Sequence, residues 1–477
     1  MLDAYGRETL YGTIARFMMA IVGFAGAILF ARLLGDAAFG GFYLLIGVKT
    51  IIDRPIQGWA NACKKRFSES GSRQRELLGA ALLFLIGWTV TLGIISVLIN
   101  GWISQYTGIA GAGFLLMLII TTESTFEVLE KIAHAEGHVA AGMWTDTVRS
   151  YLMFPLQLAL VLTFGVSGMV YGLSVASLAS VVILLILVVD TQPSFPSTLV
   201  LADVLKFARY EIPTMLVGTV EDRFELLAIG FLLSQSVVGD YEAAVKLTVP
   251  AVLIAEASSA GLMPQVSSLA SKSESASEDI KNTLSISSVL SVPIFFGTLL
   301  FSEPLLSVVF GQEYADGAEL LAFVALLRIF QSQTAPLGAT LQGFNRPDSV
   351  LHAAIFGILL KLVGAVLLFL EFGAVGIVAA AAFSEFCKYV LMSEFVQRLS
   401  DNTPRIPRAI FPQIVASVLM SGILLLIINY IPVTSRVTLI GIVGFGGVLY
   451  FVTLLLISQF IRQTITGLIN DINIISR

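Results

Sequence analysis

Apolar stretches of about twenty residues, repeated along the chain, constrain this sequence more than any other feature. One of them, LLGAALLFLIGWTVTLGIISVLI (77–99), contains no charged residue. At 1.5 Å per residue a helix of that length reaches across a hydrocarbon core roughly 30 Å thick. Hydrocarbon offers no partner to a backbone N–H or C=O, so only helices and closed barrels can cross it. Barrel strands would alternate apolar and polar residues in segments of about ten, and these runs do not alternate. Composition agrees: 13% of the 477 residues are charged, 56% are hydrophobic and mean hydropathy is +0.88. A soluble domain of this size carries about twice that share of charge. The expectation is an all-α polytopic membrane protein with about fourteen transmembrane helices, the first near 9–33 and the last near 436–459.

Basic residues orient these spans, because cytoplasmic loops keep an excess of Lys and Arg. Lys64, Lys65, Arg66, Arg73 and Arg75 fall in one connection, and every second connection after it carries more: Lys131 and Arg149, Lys206 and Arg209, Lys272 and Lys281, Arg346, then Arg398, Arg405 and Arg408. With Arg7, Arg462 and Arg477 these make eighteen of the 28 basic residues, against Arg436 alone on the opposite side. The sequence thus predicts a multi-pass protein of the cell membrane with both termini cytoplasmic. The first run follows a mixed-charge start and has no small-residue cleavage site, so it reads as a retained span. Cys63 and Cys387 are isolated, and His134 and His138 lack a third ligand, so no metal site is expected. No phosphate-binding loop or nucleophile elbow is present, and neither an enzyme nor a nucleic-acid partner is expected.

The spans fall into two similar halves. FARLLGDAAFGGFY (30–43) aligns with IGFLLSQSVVGDYE (229–242) at an offset of 199, pairing Gly40 with Gly239. AHAEGH (133–138) resembles TLQGFN (340–345), pairing Gly137 with Gly343, and GVSGMVYG (165–172) resembles GAVGIVAA (373–380) at an offset of 208. Six helices per half, an even number, make this a parallel repeat, an arrangement found in secondary transporters. The expected organisation is a six-helix lobe over 1–190, a cytoplasmic linker over 191–206, a second six-helix lobe over 207–397, and a terminal helix pair with its tail over 398–477.

Four segments carry a family resemblance: ARLLG with FGGFY (31–43), DRFELLAIGFLLSQSVVGDYEAA (222–244), EPLLSVVFGQEYADGAELL (303–321) and LQGFNRP (341–347). They resemble, in order, the polysaccharide-export branch of the multidrug/oligosaccharidyl-lipid/polysaccharide (MOP) exporter superfamily, the Wzx-type flippases. The resemblance implies a V-shaped pair of lobes and translocation of polyprenyl-(pyro)phosphate-linked oligosaccharide by alternating access. It implies a lipid-linked glycan and membrane lipids as partners, a monomer working near glycosyltransferases, and no cofactor beyond a coupling Na⁺ or H⁺. Alternatives are a MATE-like cation-coupled multidrug exporter and a membrane glycan polymerase or ligase. The extra helix pair argues against the first, and the absence of a long external loop against the second.

Charged side chains within spans cost from about 2.5 kcal/mol upward each, so each needs a reason. Arg16, Lys49, Arg54, Arg223 and Arg328 are the candidates for binding a phosphate headgroup, since a guanidinium presents a planar fork to phosphate. Lys49 can pair with Asp53 four residues on, whereas Arg54 has no such neighbour. The resemblance favours Arg16 and Arg54, whose placement on the first two helices matches the cavity arginines of such flippases. Pairing between helices, or snorkelling to the interface, is the alternative. Glu123, Glu127 and Glu130 form one acidic stripe, with Glu211, Asp222 and Glu225 a second. Of these, Glu123, Glu127, Asp222 and Glu225 either bind a coupling cation or pair with the bases, while Glu130 and Glu211 lie near helix ends.

Overall fold

The computed structural model describes residues 22–69, 73–400, 406–407, 409–431, 433 and 435–463, and all regular structure among them is helical. By contacts the chain divides into two compact units, one ending at Gly239 and the other beginning at Asp240. The first contains α1 (22–34), α2 (Asp36–Ile52), α3 (Arg54–Glu69), α4 (Gln74–Leu98), α5 (Asn100–Thr107), α6 (Ala112–Ala135), α7 (Val139–Phe164), α8 (Val166–Leu187) and α9 (Thr198–Leu232). Helix α10 (Gln235–Thr248) straddles the division, and beyond it come α11 (Pro250–Ser271), α12 (Ser277–Ser287), α13 (Ser291–Val309), α14 (Ala318–Gly343), α15 (Pro347–Leu399), α16 (Ile410–Ile428) and α17 (Arg436–Ile457).

Ten of these stretches are long and apolar enough to cross a membrane, eleven with the pair α10–α11, which bends by 56°. The hydropathy runs gave fourteen, and the difference has visible causes. Helices α1 and α2 form one continuous stretch, as do the two arms of α15, which part only at Gly373. Helix α9 carries Asp203, Lys206, Arg209, Glu211, Asp222, Arg223 and Glu225, too much charge for a span judged on apolarity. Many outward-facing side chains are as apolar as the core: Leu98, Leu187 and Leu370 are each at least three-quarters exposed. That surface suits lipid and no other solvent.

The contact boundary and the repeat boundary differ. Helix α9 stays with the first unit because it packs on α2 and α3: Gly58 lies against the backbone of Ile212, and Asn61 donates to Glu211 Oε1 at 2.9 Å. Glu211, expected near a helix end, is thus tied to α3. The first unit's core gathers Trp59, Phe67, Leu78, Ile132 and Val204. In the second, Leu284, Leu337, Leu341 and Val396 form one cluster, and Phe301, Met420, Leu424 and Tyr450 form another around α16 and α17.

The repeat is written into the backbone. Gly165 between α7 and α8 has φ 56, ψ −139, and Gly373, 208 residues later, has φ 57, ψ −132. Both lie in a region that a residue with a Cβ avoids. The turn after α6 places Gly137 at φ 94, and the turn after α14 places Asn345 at φ 57. Their hydrogen bonds also correspond: His138 N–H to Ala133 O at 2.9 Å, and Arg346 N–H to Leu341 O at 2.8 Å. The true partner of Gly137 is therefore Asn345, 208 residues away, and not Gly343. Asn is among the few residues besides Gly that tolerate the left-handed region, which hid the match.

The first aligned pair makes a reciprocal contact. A Cβ on Gly40 would strike the carbonyl of Gln235, and a Cβ on Gly239 would strike that of Asp36. Residues 36 and 235 are themselves 199 apart, as are 40 and 239. Overpacking costs about 1–3 kcal/mol, so Gly40→Ala should lower the thermal unfolding temperature of the protein in detergent. Gly23→Ala, with open space around its Cβ, should leave it unchanged.

Candidate functional site

The site begins at a proline. Pro55 has no N–H to offer the carbonyl of Ile51, and its ring crowds that carbonyl, so the helical path breaks at Asp53 between α2 and α3. Trp88 Nε1 donates to the carbonyl of Ile52 at 3.0 Å and covers the break from α4. On either side of this interruption Lys49, Asp53, Arg54 and Gln57 line a cavity of about 760 Å³ within the first unit, whose other walls come from α1, α6, α7, α8 and α9.

The charges here are mostly neutralised in place. Lys49, 6% exposed, lies 3.5 Å from Asp53 Oδ2 and 3.2 Å from Glu127 Oε1. Gln57 Nε2 donates to Asp53 Oδ2 at 3.0 Å and also to Glu127, while Ser124 donates to Asp53. Lys131 donates to the backbone and side-chain oxygens of Gln57. On α7, Arg149 reaches Glu123 Oε1 at 2.7 Å and Asp146 Oδ1 at 2.8 Å, and Ser177 of α8 donates to the same Glu123 oxygen. Such compensation is what a charge withdrawn from water requires.

Two guanidiniums stand apart. Arg54 and Arg223 both line the cavity, and among the described residues neither forms an ion pair. Arg54 Nε is buried without a hydrogen bond to any described residue. The cavity thus combines a neutralised ionic cluster with two guanidiniums that form no ion pair among the described residues. Phe30, Phe42, Phe154 and Met169 add apolar surface to the lining.

The structure brings Lys49, Arg54, Arg223, Glu123 and Glu127 to this one cavity. Asp222 is exposed on α9, and Glu225 is buried there. Arg328 belongs to the second unit, on α14, where it donates to Gln331 at 2.6 Å. Arg16 lies outside the described residues. Glu385 pairs with Lys388 at 2.8 Å, and His134 and His138 each sit beside their own acid, Glu130 at 3.9 Å and Asp190 at 3.3 Å. Lys131 and Arg149, counted among the charges of a connection, lie inside α6 and α7 and line the cavity. Asp146, three residues before Arg149, was the available signal, since residues three apart share a helix face.

Comparison with known proteins follows this geometry. Residues 29–319, which include the whole described part of the ionic cluster, match the family model described as polysaccharide biosynthesis protein. The chain belongs to that family. It is 29% identical over 471 residues to the probable low-salt glycan biosynthesis flippase Agl15 of Haloferax volcanii, covering 96% of this chain and 97% of the relative. It is 24% identical over 447 residues to the probable flippase AglR of the same organism, covering 92% and 93%. Among solved structures, the lipid II flippase MurJ in an inward closed conformation aligns with a TM-score of 0.80 at 16% identity, over 96% of this chain and all of that one. An inward-facing MATE family transporter of the MOP superfamily aligns at 0.65 and 16% identity, over 80% of this chain and 94% of the transporter. The fold of this family member is therefore shared with MurJ over nearly the whole chain, and with the MATE transporter over less of it.

Removing one partner of a buried pair strands the other, at a cost of about 3–5 kcal/mol. Arg149→Ala should therefore destabilise the protein strongly in detergent unfolding, through Glu123. Arg54→Ala strands no carboxylate and should lower stability far less than Arg149→Ala in the same measurement.

Proposed function

We propose that this protein carries lipid-linked oligosaccharide across the cell membrane by alternating access, holding the phosphate between lipid and sugar on Arg54 and Arg223. The observation that carries this reading is the pair of guanidiniums without an ion pair in a cavity whose other bases are already partnered. A sugar phosphate entering the membrane must exchange water for fixed donors, and two planar forks supply them. Flippase relatives over nearly the full chain support the same reading. A multidrug exporter is the weaker reading, since the MATE structure leaves a fifth of the chain unmatched. A polymerase or ligase would need an external loop for catalysis, which the sequence does not supply. In this reading the glycan loads from the cytoplasmic side, to which the distribution of Lys and Arg assigns the basic loops and both termini, and a single copy of the chain works beside the glycosyltransferases.

Coupling to Na⁺ or H⁺ fits the same cluster. In this conformation Glu127 neutralises Lys49 and Glu123 neutralises Arg149. A cation taken up at either carboxylate would leave the base with only its second partner, Asp53 or Asp146, raise the positive charge of the cavity and tighten its grip on phosphate. Asp222 and Glu225, flanking Arg223 in sequence, are the second pair of carboxylates on which such a cation would act.

Complementation of a flippase-null strain tests the assignment. Arg54→Ala and Arg223→Ala should insert at wild-type levels, lower glycan export at least tenfold, and accumulate lipid-linked sugar. Full export by both variants would show that the phosphate is held elsewhere.

A further inference from the structure

The terminal helices α16 and α17 have no counterpart in the repeat, and their contacts assign them a task. Helices α12 and α13 lie along one membrane-length stretch, Ser277–Val309, interrupted at residues 288–290. A helix leaves its last four carbonyls without intrahelical donors, and α12 ends at Ser287. Beyond the break, Pro293 has no N–H for the carbonyl of Val289. Within a bilayer each such group needs a partner from elsewhere in the protein.

Three helices supply the partners, one side chain each. Gln333 of α14 donates to the carbonyl of Leu284 at 3.2 Å. Gln413 of α16 donates to that of Ser285 at 2.8 Å and accepts from Ser288 Oγ at 2.7 Å. Tyr450 of α17 donates its hydroxyl to Val289 at 2.9 Å. Gln413 and Tyr450 are both fully buried. Two of the three donors thus come from the helix pair that the repeat does not require.

We infer that the terminal pair is a clamp, with Gln413 and Tyr450 holding the α12–α13 break in its interrupted form. A break secured by side-chain hydrogen bonds can open and reclose without disturbing the helices on either side, which makes it a hinge under the control of α16 and α17. The inference goes beyond the transport reading and does not depend on the substrate.

Amide hydrogen exchange on the full-length protein in nanodiscs tests it. Tyr450→Phe keeps the ring and removes only the donor. It and Gln413→Leu should each speed exchange at least tenfold in peptides covering 284–294, with peptides from α6 and from the rest of α16 and α17 unchanged. Adding Pro293→Ala, which returns an N–H to the carbonyl of Val289, should restore slow exchange to Tyr450→Phe but not to Gln413→Leu. Unchanged exchange at 284–294, a uniform rise across the second unit, or failure of Pro293→Ala to rescue Tyr450→Phe would each overturn the clamp. Export assays on Arg54 variants are independent of this outcome, so either conclusion can fail alone.

Discussion

A carbonyl left without a donor inside a bilayer has no water to turn to, and the rest of this structure depends on how that problem is met. Helices meet it by themselves until a proline intervenes. Near Pro55 the indole of Trp88 serves the neighbouring carbonyl of Ile52, and at Pro293 the hydroxyl of Tyr450 serves the freed carbonyl of Val289. The two interruptions differ in what they present. Beside the first, Asp53, Arg54 and Gln57 line a cavity, whereas the second is enclosed by buried side chains from three helices.

Charge follows the same logic one level up. An ion withdrawn from water is tolerable when another charge or a set of hydrogen bonds replaces hydration. Lys49 and Arg149 each answer two carboxylates, so they define the cavity's walls more than its ligand. The ionic cluster also ties α2, α6, α7 and α8 together, which makes the cavity a structural element in its own right. Against that satisfied background two guanidiniums are conspicuous by contrast, and the proposed transport of a phosphate-linked glycan would give them a reason to be there.

Much of this was legible in the sequence. Unbroken apolar runs dictated helices, and short motifs at nearly constant spacing disclosed the repeat. The i,i+4 spacing of Lys49 and Asp53 foretold their pairing, and the lack of such a neighbour singled out Arg54. What the sequence concealed depended on distant contacts. Arg149 looked like a loop charge because its main partner, Glu123, sits 26 residues away on another helix. The correspondence of Gly137 with Asn345 was hidden because two residue types satisfy one backbone geometry. The role of Gln413 and Tyr450 could not be read at all, since neither residue carries charge and the carbonyls they serve lie more than a hundred positions upstream.

The reciprocal contact of Gly40 and Gly239 has a consequence for how the chain can vary. In a self-complementary contact between identical halves, one substitution appears on both sides at once. Once the halves are fused, each glycine can change alone. That freedom brings no relief here, because the obstacle on either side is a backbone carbonyl, of Gln235 or of Asp36, which no side-chain substitution can trim. Divergence between the halves could therefore remodel their charges, as the ionic cluster around Lys49 illustrates, while this crossing stayed bound to the smallest residue on both strands of the repeat.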